Sequence, residues 1–151
     1  MLRDDINNAL KEAMKSREER RVSTLRMVNA AIKDRDIEAR GQGKGPLSDE
    51  ELLALFQKLI KSRQDSVEMY QKGGRADLVA QEQEEIAIIS SYLPKQMSED
   101  EMKTAIAAAI KDTGAASMKD MGKVIGALRG KYAGQMDFGK ASGLVKGMLA
   151  G

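Results

Sequence analysis

The chain lacks cysteine, histidine and tryptophan, and it has only two phenylalanines and three tyrosines among 151 residues. Without cysteine it has neither a disulfide framework nor a thiolate metal site. Without histidine it lacks the side chain most often used for proton transfer near neutral pH, which is also the commonest metal ligand. The sequence therefore predicts a protein with no catalytic site of its own, no bound metal and no cofactor.

Long apolar runs are also missing. The longest uninterrupted one covers residues 105–110, far short of the roughly 20 residues that span a membrane. The N-terminus has no apolar signal core. Since the absence of cysteine also fits a reducing compartment, we expect a cytoplasmic protein that is neither exported nor embedded in a membrane.

Residues that favour helices dominate the composition, and no segment stands out as a strand. Apolar residues recur three and four positions apart, beginning with Leu2, Ile6, Leu10 and Met14, and this spacing predicts helices along the whole chain. Pro94 interrupts the helical pattern. The predicted fold is all-α, with a bundle of about four helices in residues 1–94 and a three-helix domain in residues 95–151.

Helix starts are indicated by a serine followed three residues later by an acidic residue, which is the spacing of a capping box. Four such pairs occur: Ser16 with Glu19, Ser48 with Glu51, Ser98 with Glu101, and Ser117 with Asp120.

Charge is nearly balanced in total but uneven along the chain. Residues 1–94 hold 16 basic and 17 acidic side chains, whereas residues 95–151 hold 9 and 6. The C-terminal part is therefore mildly basic. This surface is either an ordinary solvated one or a place where a polyanion such as RNA binds.

Glycine recurs every fourth residue in the last two predicted helices, although it costs about 1 kcal/mol in a helix interior. The stripes are Gly122, Gly126 and Gly130, then Gly139, Gly143 and Gly147. Helical geometry puts each stripe opposite an apolar face, with Lys119, Lys123 and Lys140 beside it. The stripes either admit an RNA backbone that the lysines bind, or pack closely against another helix. The first interpretation makes Lys119, Lys123, Gly126, Lys140 and Gly143 candidate nucleic-acid-binding residues.

Other polar motifs have simpler interpretations. The segment of residues 41–45, Gly-Gln-Gly-Lys-Gly, lacks the spacing of a phosphate-binding loop and follows a helix, so it predicts a turn. Glu82 and Glu85 lack the histidines of a bundle metal site and favour a structural role.

Two further polar stripes lie on predicted helices, the first of them beside Leu25 and Ile32. They comprise Arg26, Asn29 and Lys33 on the second helix, and Arg63, Ser66 and Tyr70 on the third. Paired with Glu82 or Glu85 they would form a structural network between helices; the alternative is a ligand cleft.

Taken together, several short motifs resemble the YqeY family over nearly the whole chain. They are Thr24-Leu25-Arg26, Asn29-Ala30-Ala31-Ile32-Lys33, Arg63-x-x-Ser66-x-x-x-Tyr70, Gly74-Arg75-x-Asp77-Leu78, Tyr92-Leu93-Pro94 and Asp120-Met121-Gly122-Lys123-Val124-Ile125-Gly126.

The resemblance implies a helical N-terminal bundle and a three-helix domain similar to the tail of GatB, a subunit of the tRNA-dependent amidotransferase. It also implies the family-level label of a carbon-nitrogen ligase with glutamine as amido-N-donor, although no catalytic residue comes with the tail. Our first hypothesis is a non-catalytic tRNA-associated module whose partners are tRNA and an aminoacylation or amidation enzyme. The second is a module that binds a helix of a partner enzyme and no RNA. An independent enzyme ranks last.

Overall fold

The computed structural model describes residues 1–150 and contains seven α-helices, one short 3-10 helix and no strand in that range. The prediction of an all-α fold is confirmed. The helices are α1 (Leu2–Lys15), α2 (Glu19–Gly41), α3 (Asp49–Lys72), α4 (Ala76–Ser90), α5 (Glu99–Thr113), α6 (Met121–Tyr132) and α7 (Phe138–Ala150), with the 3-10 helix at Met118–Asp120. They form two compact units, Met1–Leu93 and a second one that begins at Pro94.

Two of the four predicted capping boxes are present. Ser48 Oγ accepts from the N–H of Glu51 at 3.2 Å at the start of α3, and Ser98 Oγ accepts from the N–H of Glu101 at 3.1 Å at the start of α5. Each glutamate side chain in turn accepts from the N–H of its serine. The backbone N–H groups of both residues of the motif therefore have an acceptor. The helix α5 then ends at Gly114, which has a left-handed φ of 68°.

The N-terminal unit is built around one apolar core to which all four helices contribute. The fully buried residues include Ile6, Leu25, Leu52, Phe56 and Ile89. Burial of each such side chain contributes about 1.5–3 kcal/mol. This core fixes the positions of the polar side chains that α2, α3 and α4 carry on its margin.

The segment between α2 and α3 is held by charged hydrogen bonds at the edge of this core. Arg3 donates to both oxygens of Asp36, each at 2.7 Å, and also to the carbonyl of Leu47 at 3.1 Å. The N–H of Leu47 donates back to Asp36 at 3.0 Å. Asp36 is thus the common acceptor, and the Arg3 guanidinium beside it lowers the pKa of that carboxyl.

The C-terminal unit has a separate core formed by α5, α6, α7 and the loop after α6. Its buried residues are Met102, Ala105, Ile106, Val124, Leu128, Met136, Ala141 and Val145. The segment before α5 is tied to the α6–α7 loop, because the N–H of Met97 donates to Gln135 O at 2.9 Å and the Gln96 amide donates to Gly134 O at 2.6 Å. The faces of α6 and α7 opposite this core are exposed.

Two predicted capping boxes are absent. Ser16 lies at the C-cap of α1 instead, and α2 starts after Glu18 without a side-chain cap. The side chain of Asp120 accepts from the N–H of Ala116, so Ser117 opens only the single turn of 3-10 helix before α6. In neither place does the serine side chain accept the backbone N–H that the spacing assigns to it.

Two details of helix faces and ends also differ from the prediction. Met14 is 49% exposed and Ala13 is fully buried, because residues four apart advance by 400° and an apolar stripe with that spacing drifts around the helix. The sequence predicts an interruption of the helical pattern at Pro94, but α4 already ends at Ser90. There the N–H groups of Tyr92 and Leu93 donate three residues back, and this tightens the chain before Pro94.

Candidate functional site

The exposed faces of α6 and α7 carry the two glycine stripes. Gly122, Gly126 and Gly130 are exposed on α6, and Gly139, Gly143 and Gly147 are exposed on α7. The opposite sides hold buried residues such as Val124 and Val145. We call these two surfaces, together with Lys119, Lys123 and Lys140, the glycine–lysine faces.

Open space lies over the glycines. A Cβ atom placed on Gly122, Gly126, Gly130, Gly143 or Gly147 would meet no heavy atom within 4 Å, apart from the backbone of its own helix. No helix of the C-terminal unit therefore packs on these five positions. The unit does not need glycine there for its own packing, although each glycine weakens the helix that carries it.

The structure distributes the three candidate lysines along the faces. Lys119 lies on the 3-10 helix, Lys123 in the first turn of α6, and Lys140 in the first turn of α7. The guanidinium of Arg129 lies 5.6 Å from the ring centroid of Phe138, so the end of α6 meets the start of α7. Lys140 is therefore at the same end of α6 as Arg129. Arg129 lies about 9 Å from Lys123 along the helix axis, because an α-helix rises 1.5 Å per residue. The cations are therefore spread along α6 and the start of α7.

Acidic side chains are few around these lysines, and the carboxylate that acts on Lys123 is Asp120. Beyond Asp112 the sequence has six basic and two acidic side chains, and both acids accept hydrogen bonds from backbone N–H groups. Asp120 accepts from the N–H of Ala116 at 2.9 Å, and Asp137 accepts from the N–H groups of Gly139 and Lys140 at 3.0 and 3.2 Å. The hydrogen bond from Ala116 lowers the pKa of the Asp120 carboxyl and so favours its charged form. Within residues 113–150 no basic side chain forms an ion pair.

In the N-terminal unit the predicted polar stripes are only partly brought together. Arg63 on α3 pairs with Glu85 on α4 at 3.0 Å, as expected of a structural network. Asn29 instead donates to Asn7 on α1 at 3.2 Å, and Arg26 and Lys33 are exposed.

The remaining members of the stripes stay within or near α3. The hydroxyl of Ser66 donates to its own helix, at the carbonyl of Ser62. Tyr70 lines an open groove of about 320 Å³ between the end of α3 and the start of α4. No polar side chain from α2 joins this groove, whose lining is Tyr70, Gln71, Gly74, Arg75, Ala76, Val79, Ala80 and Gln83.

The loop of residues 41–45 is a turn. The N–H groups of Gln42 and Lys44 donate to the carbonyl of Ala39, and that of Gly43 donates to the carbonyl of Arg40. These amides close the end of α2, so they are not free to bind phosphate. Within residues 1–150 no cluster of acidic side chains has the geometry to hold a metal ion, and no helix is long and apolar enough to cross a membrane.

Comparison with known proteins gives a family match and several relatives. The model of the family described as "Yqey-like protein" matches residues 3–149. A protein of Lachancea thermotolerans named "Altered inheritance of mitochondria protein 41, mitochondrial" is 38% identical over 89 residues, which is 59% of this chain and 46% of the relative. Proteins of the same name from Eremothecium gossypii and Saccharomyces cerevisiae are each 34% identical over 88 residues, or 58% of this chain and 46% of the relative. The chain thus matches a little under half the length of these relatives.

The names of the relatives contradict the expected cytoplasmic location, because each places its protein in mitochondria. That prediction was wrong. Its premise was the absence of cysteine, which indicates a reducing compartment and does not specify which one.

Proposed function

Because the chain belongs to the YqeY family, we propose that it is a non-catalytic, tRNA-associated accessory module of tRNA-dependent amidation. The glycine–lysine faces are the proposed RNA-binding surface. The observation that supports this most directly is a set of exposed lysines with no ion-pair partner in their own unit, beside glycines on which no helix of that unit packs.

The physics of phosphate binding accounts for both parts of this surface. A basic side chain that neutralises a phosphate releases condensed counterions, and this supplies most of the sequence-independent affinity for nucleic acid. A glycine without Cβ lets a sugar-phosphate backbone approach the helix more closely than alanine allows. Lys119, Lys123 and Lys140 then bind phosphates, while Gly126 and Gly143 leave room for them.

In this proposal the family-level label of a carbon-nitrogen ligase with glutamine as amido-N-donor refers to the pathway in which the chain takes part. It does not describe a reaction that the chain itself catalyses. The amidation enzyme or an aminoacylation enzyme performs the chemistry, and this chain holds the tRNA beside it. The purified chain is accordingly expected neither to hydrolyse ATP nor to release ammonia from glutamine. Turnover of either substrate that survives repurification would contradict the non-catalytic role.

The first test replaces Lys119, Lys123 and Lys140 together with glutamate and measures tRNA binding against salt concentration. Each lost phosphate contact flattens the log-log slope by about 0.7–0.9, so three lost contacts flatten it by about 2–3 units. Folding should be unchanged, because all three side chains are exposed.

The matched control replaces Lys95, Lys103 and Lys111 with glutamate. These lysines are exposed in the same unit, on and just before α5, so the change in net charge is identical. If both triple variants weaken tRNA binding equally, binding depends on net charge and not on the glycine–lysine faces.

The second test adds a methyl group to the glycine stripes with Gly126→Ala and Gly143→Ala. Because nothing lies within 4 Å of either position, each change should stabilise the unit by about 1 kcal/mol. Weaker tRNA binding by a more stable protein would identify close approach of the backbone as the role of these glycines.

The alternative function is a module that binds a helix of a partner enzyme and no RNA. The open glycines favour it equally, since small residues let helices approach closely. In that case Gly126→Leu or Gly143→Leu disrupts the complex, and the lysine replacements barely change RNA affinity. If the wild-type chain shows no salt-sensitive tRNA binding under conditions where a basic control protein binds, direct tRNA binding is excluded and this alternative is left.

A further inference from the structure

The turn between α1 and α2 contains the one non-glycine residue with positive φ among the described residues, Arg17 at 55°. The N–H of Glu18 donates to Ala13 O at 3.0 Å, and the N–H of Arg17 donates to Met14 O at 3.3 Å. These two bonds form the usual termination of a helix, in which glycine generally takes the left-handed position because a Cβ is strained there. The turn therefore keeps an arginine side chain at a conformational cost that glycine would avoid.

The neighbouring cations have partners and Arg17 does not. Lys15 pairs with Glu12 at 3.7 Å, Arg20 pairs with Glu84 at 3.1 Å, and Arg21 donates to the hydroxyl of Tyr92 at 3.3 Å. Arg17 is exposed and makes no ion pair or side-chain hydrogen bond with any residue in the described range. No ion pair or side-chain hydrogen bond within the N-terminal unit therefore offsets the strained backbone.

An apolar side chain lies on the same turn. Met14 is 49% exposed, and its carbonyl accepts the N–H of Arg17. Arginine and methionine are both enriched at protein interfaces, where an arginine often contributes a large share of the affinity.

From this strained arginine and the exposed methionine three residues before it we propose that the α1–α2 turn is a protein-docking corner, formed by Met14 and Arg17. The partner is a protein that presents a carboxylate next to an apolar side chain. Backbone strain that the fold does not need points to a function for the side chain that causes it.

Charge around the corner favours a protein over a nucleic acid. Glu18 and Glu19 directly follow Arg17, and both are exposed. A phosphate backbone, with a charge on every nucleotide, would meet these carboxylates as well as the guanidinium. A protein surface with one carboxylate flanked by basic or neutral groups complements all three side chains. The corner is therefore distinct in its ligand from the glycine–lysine faces, and its test does not depend on them.

The test uses the full-length chain with the photo-crosslinking residue p-benzoylphenylalanine in place of Met14, irradiated in cells. The adduct is treated with nuclease and identified by mass, and the captured protein is purified for calorimetric titration. We expect Arg17→Gly to weaken its Kd by about tenfold or more, and Arg17→Lys, which keeps the charge, to bind more tightly than Arg17→Gly. Lys11→Ala removes an exposed cation from the same helix and should leave the Kd within about twofold.

Thermal melting of Arg17→Gly separates docking from folding. Glycine relieves the strain, so the melting temperature should stay level or rise by up to about 4 °C. Weaker binding by an equally stable or more stable protein supports the docking corner. An adduct with RNA, no adduct at all, or a Kd that Arg17→Gly leaves unchanged would overturn it.

Discussion

Arg63 on α3 and Glu85 on α4 form the least exposed ion pair in residues 1–150, with 3.0 Å between Nε and Oε2 and 15% and 16% of the side chains exposed. The rest of the guanidinium is also engaged, since Nη1 donates to Leu59 O at 3.0 Å and Nη2 contacts the sulfur of Met27 at 3.4 Å. This arginine therefore joins three helices of the N-terminal unit.

Replacing Glu85 with alanine should lower the free energy of unfolding by about 2–3 kcal/mol, because it leaves a largely buried guanidinium without its carboxylate. Urea denaturation at neutral pH measures this effect. The control is Glu84→Ala, which breaks the exposed pair with Arg20 and should cost less than about 1 kcal/mol. Equal losses in the two variants would show that Arg63 and Glu85 are not an important link between α3 and α4.

The carboxyl of Glu82 has a raised pKa, caused first by its burial and then by the nearby charge of Glu85, with Arg63 acting in the opposite direction. Between its ordinary pKa and the raised one, the folded protein binds more protons than the unfolded chain, so this group makes stability fall as pH rises. Glu82→Gln should therefore stabilise the protein at pH 7, and the gain should disappear in acid below the ordinary pKa of a glutamate.

Urea denaturation of Glu82→Gln and wild type, repeated from pH 7 down to acid, tests this prediction. The exposed Glu68 on α3 provides the comparison, because Glu68→Gln removes the same charge from a side chain that is already in water. A constant difference between Glu82→Gln and wild type across the range would contradict the assigned cause.

The hydroxyl of Thr24 is buried, with 2% of the residue exposed, and has no hydrogen-bond partner. Thr24→Val replaces this hydroxyl with a methyl group of similar size and should raise the free energy of unfolding by about 1 kcal/mol. Thr24→Ser keeps the hydroxyl, removes the methyl group and should destabilise. If valine destabilises as well, the hydroxyl has a partner that stabilises the fold.

The two units have separate cores, so a fragment of residues 95–151 is expected to fold alone. Its eight buried core residues all come from within that range. Circular dichroism should show helix and a cooperative melt, although a fragment this small buries a low fraction of its surface and is only marginally stable. A fragment without helix, from a chain that folds when intact, would rule out the predicted division into domains 1–94 and 95–151.

Apolar spacing was sufficient to predict the seven helices, because a helix in water must bury one face. It also placed the glycine stripes opposite the buried faces of α6 and α7, as the exposure of Gly126 and Gly143 shows. Capping was harder to predict. Ser16 and Ser48 have the same spacing to a glutamate, but Ser16 lies at the C-cap of α1, where the backbone already closes the helix end.

Contacts between distant helices could be predicted only in part. The pair of Arg63 with Glu85 follows from the rule that buried charges find partners, whereas nothing in the spacing distinguishes Arg63 from the exposed Arg26. The strained Arg17 could not be predicted, because a left-handed residue at a helix end is usually signalled by glycine and here the sequence has none.

The glycines of α6 have a consequence for how that helix opens. Three of its 12 residues are Gly122, Gly126 and Gly130, and at about 1 kcal/mol each they leave little intrinsic helical tendency. The helix is therefore maintained almost entirely by the contacts of Val124 and Leu128 with the core. Amide hydrogens on its exposed side should exchange with solvent sooner than those of α5, and a molecule bound along this side would slow their exchange.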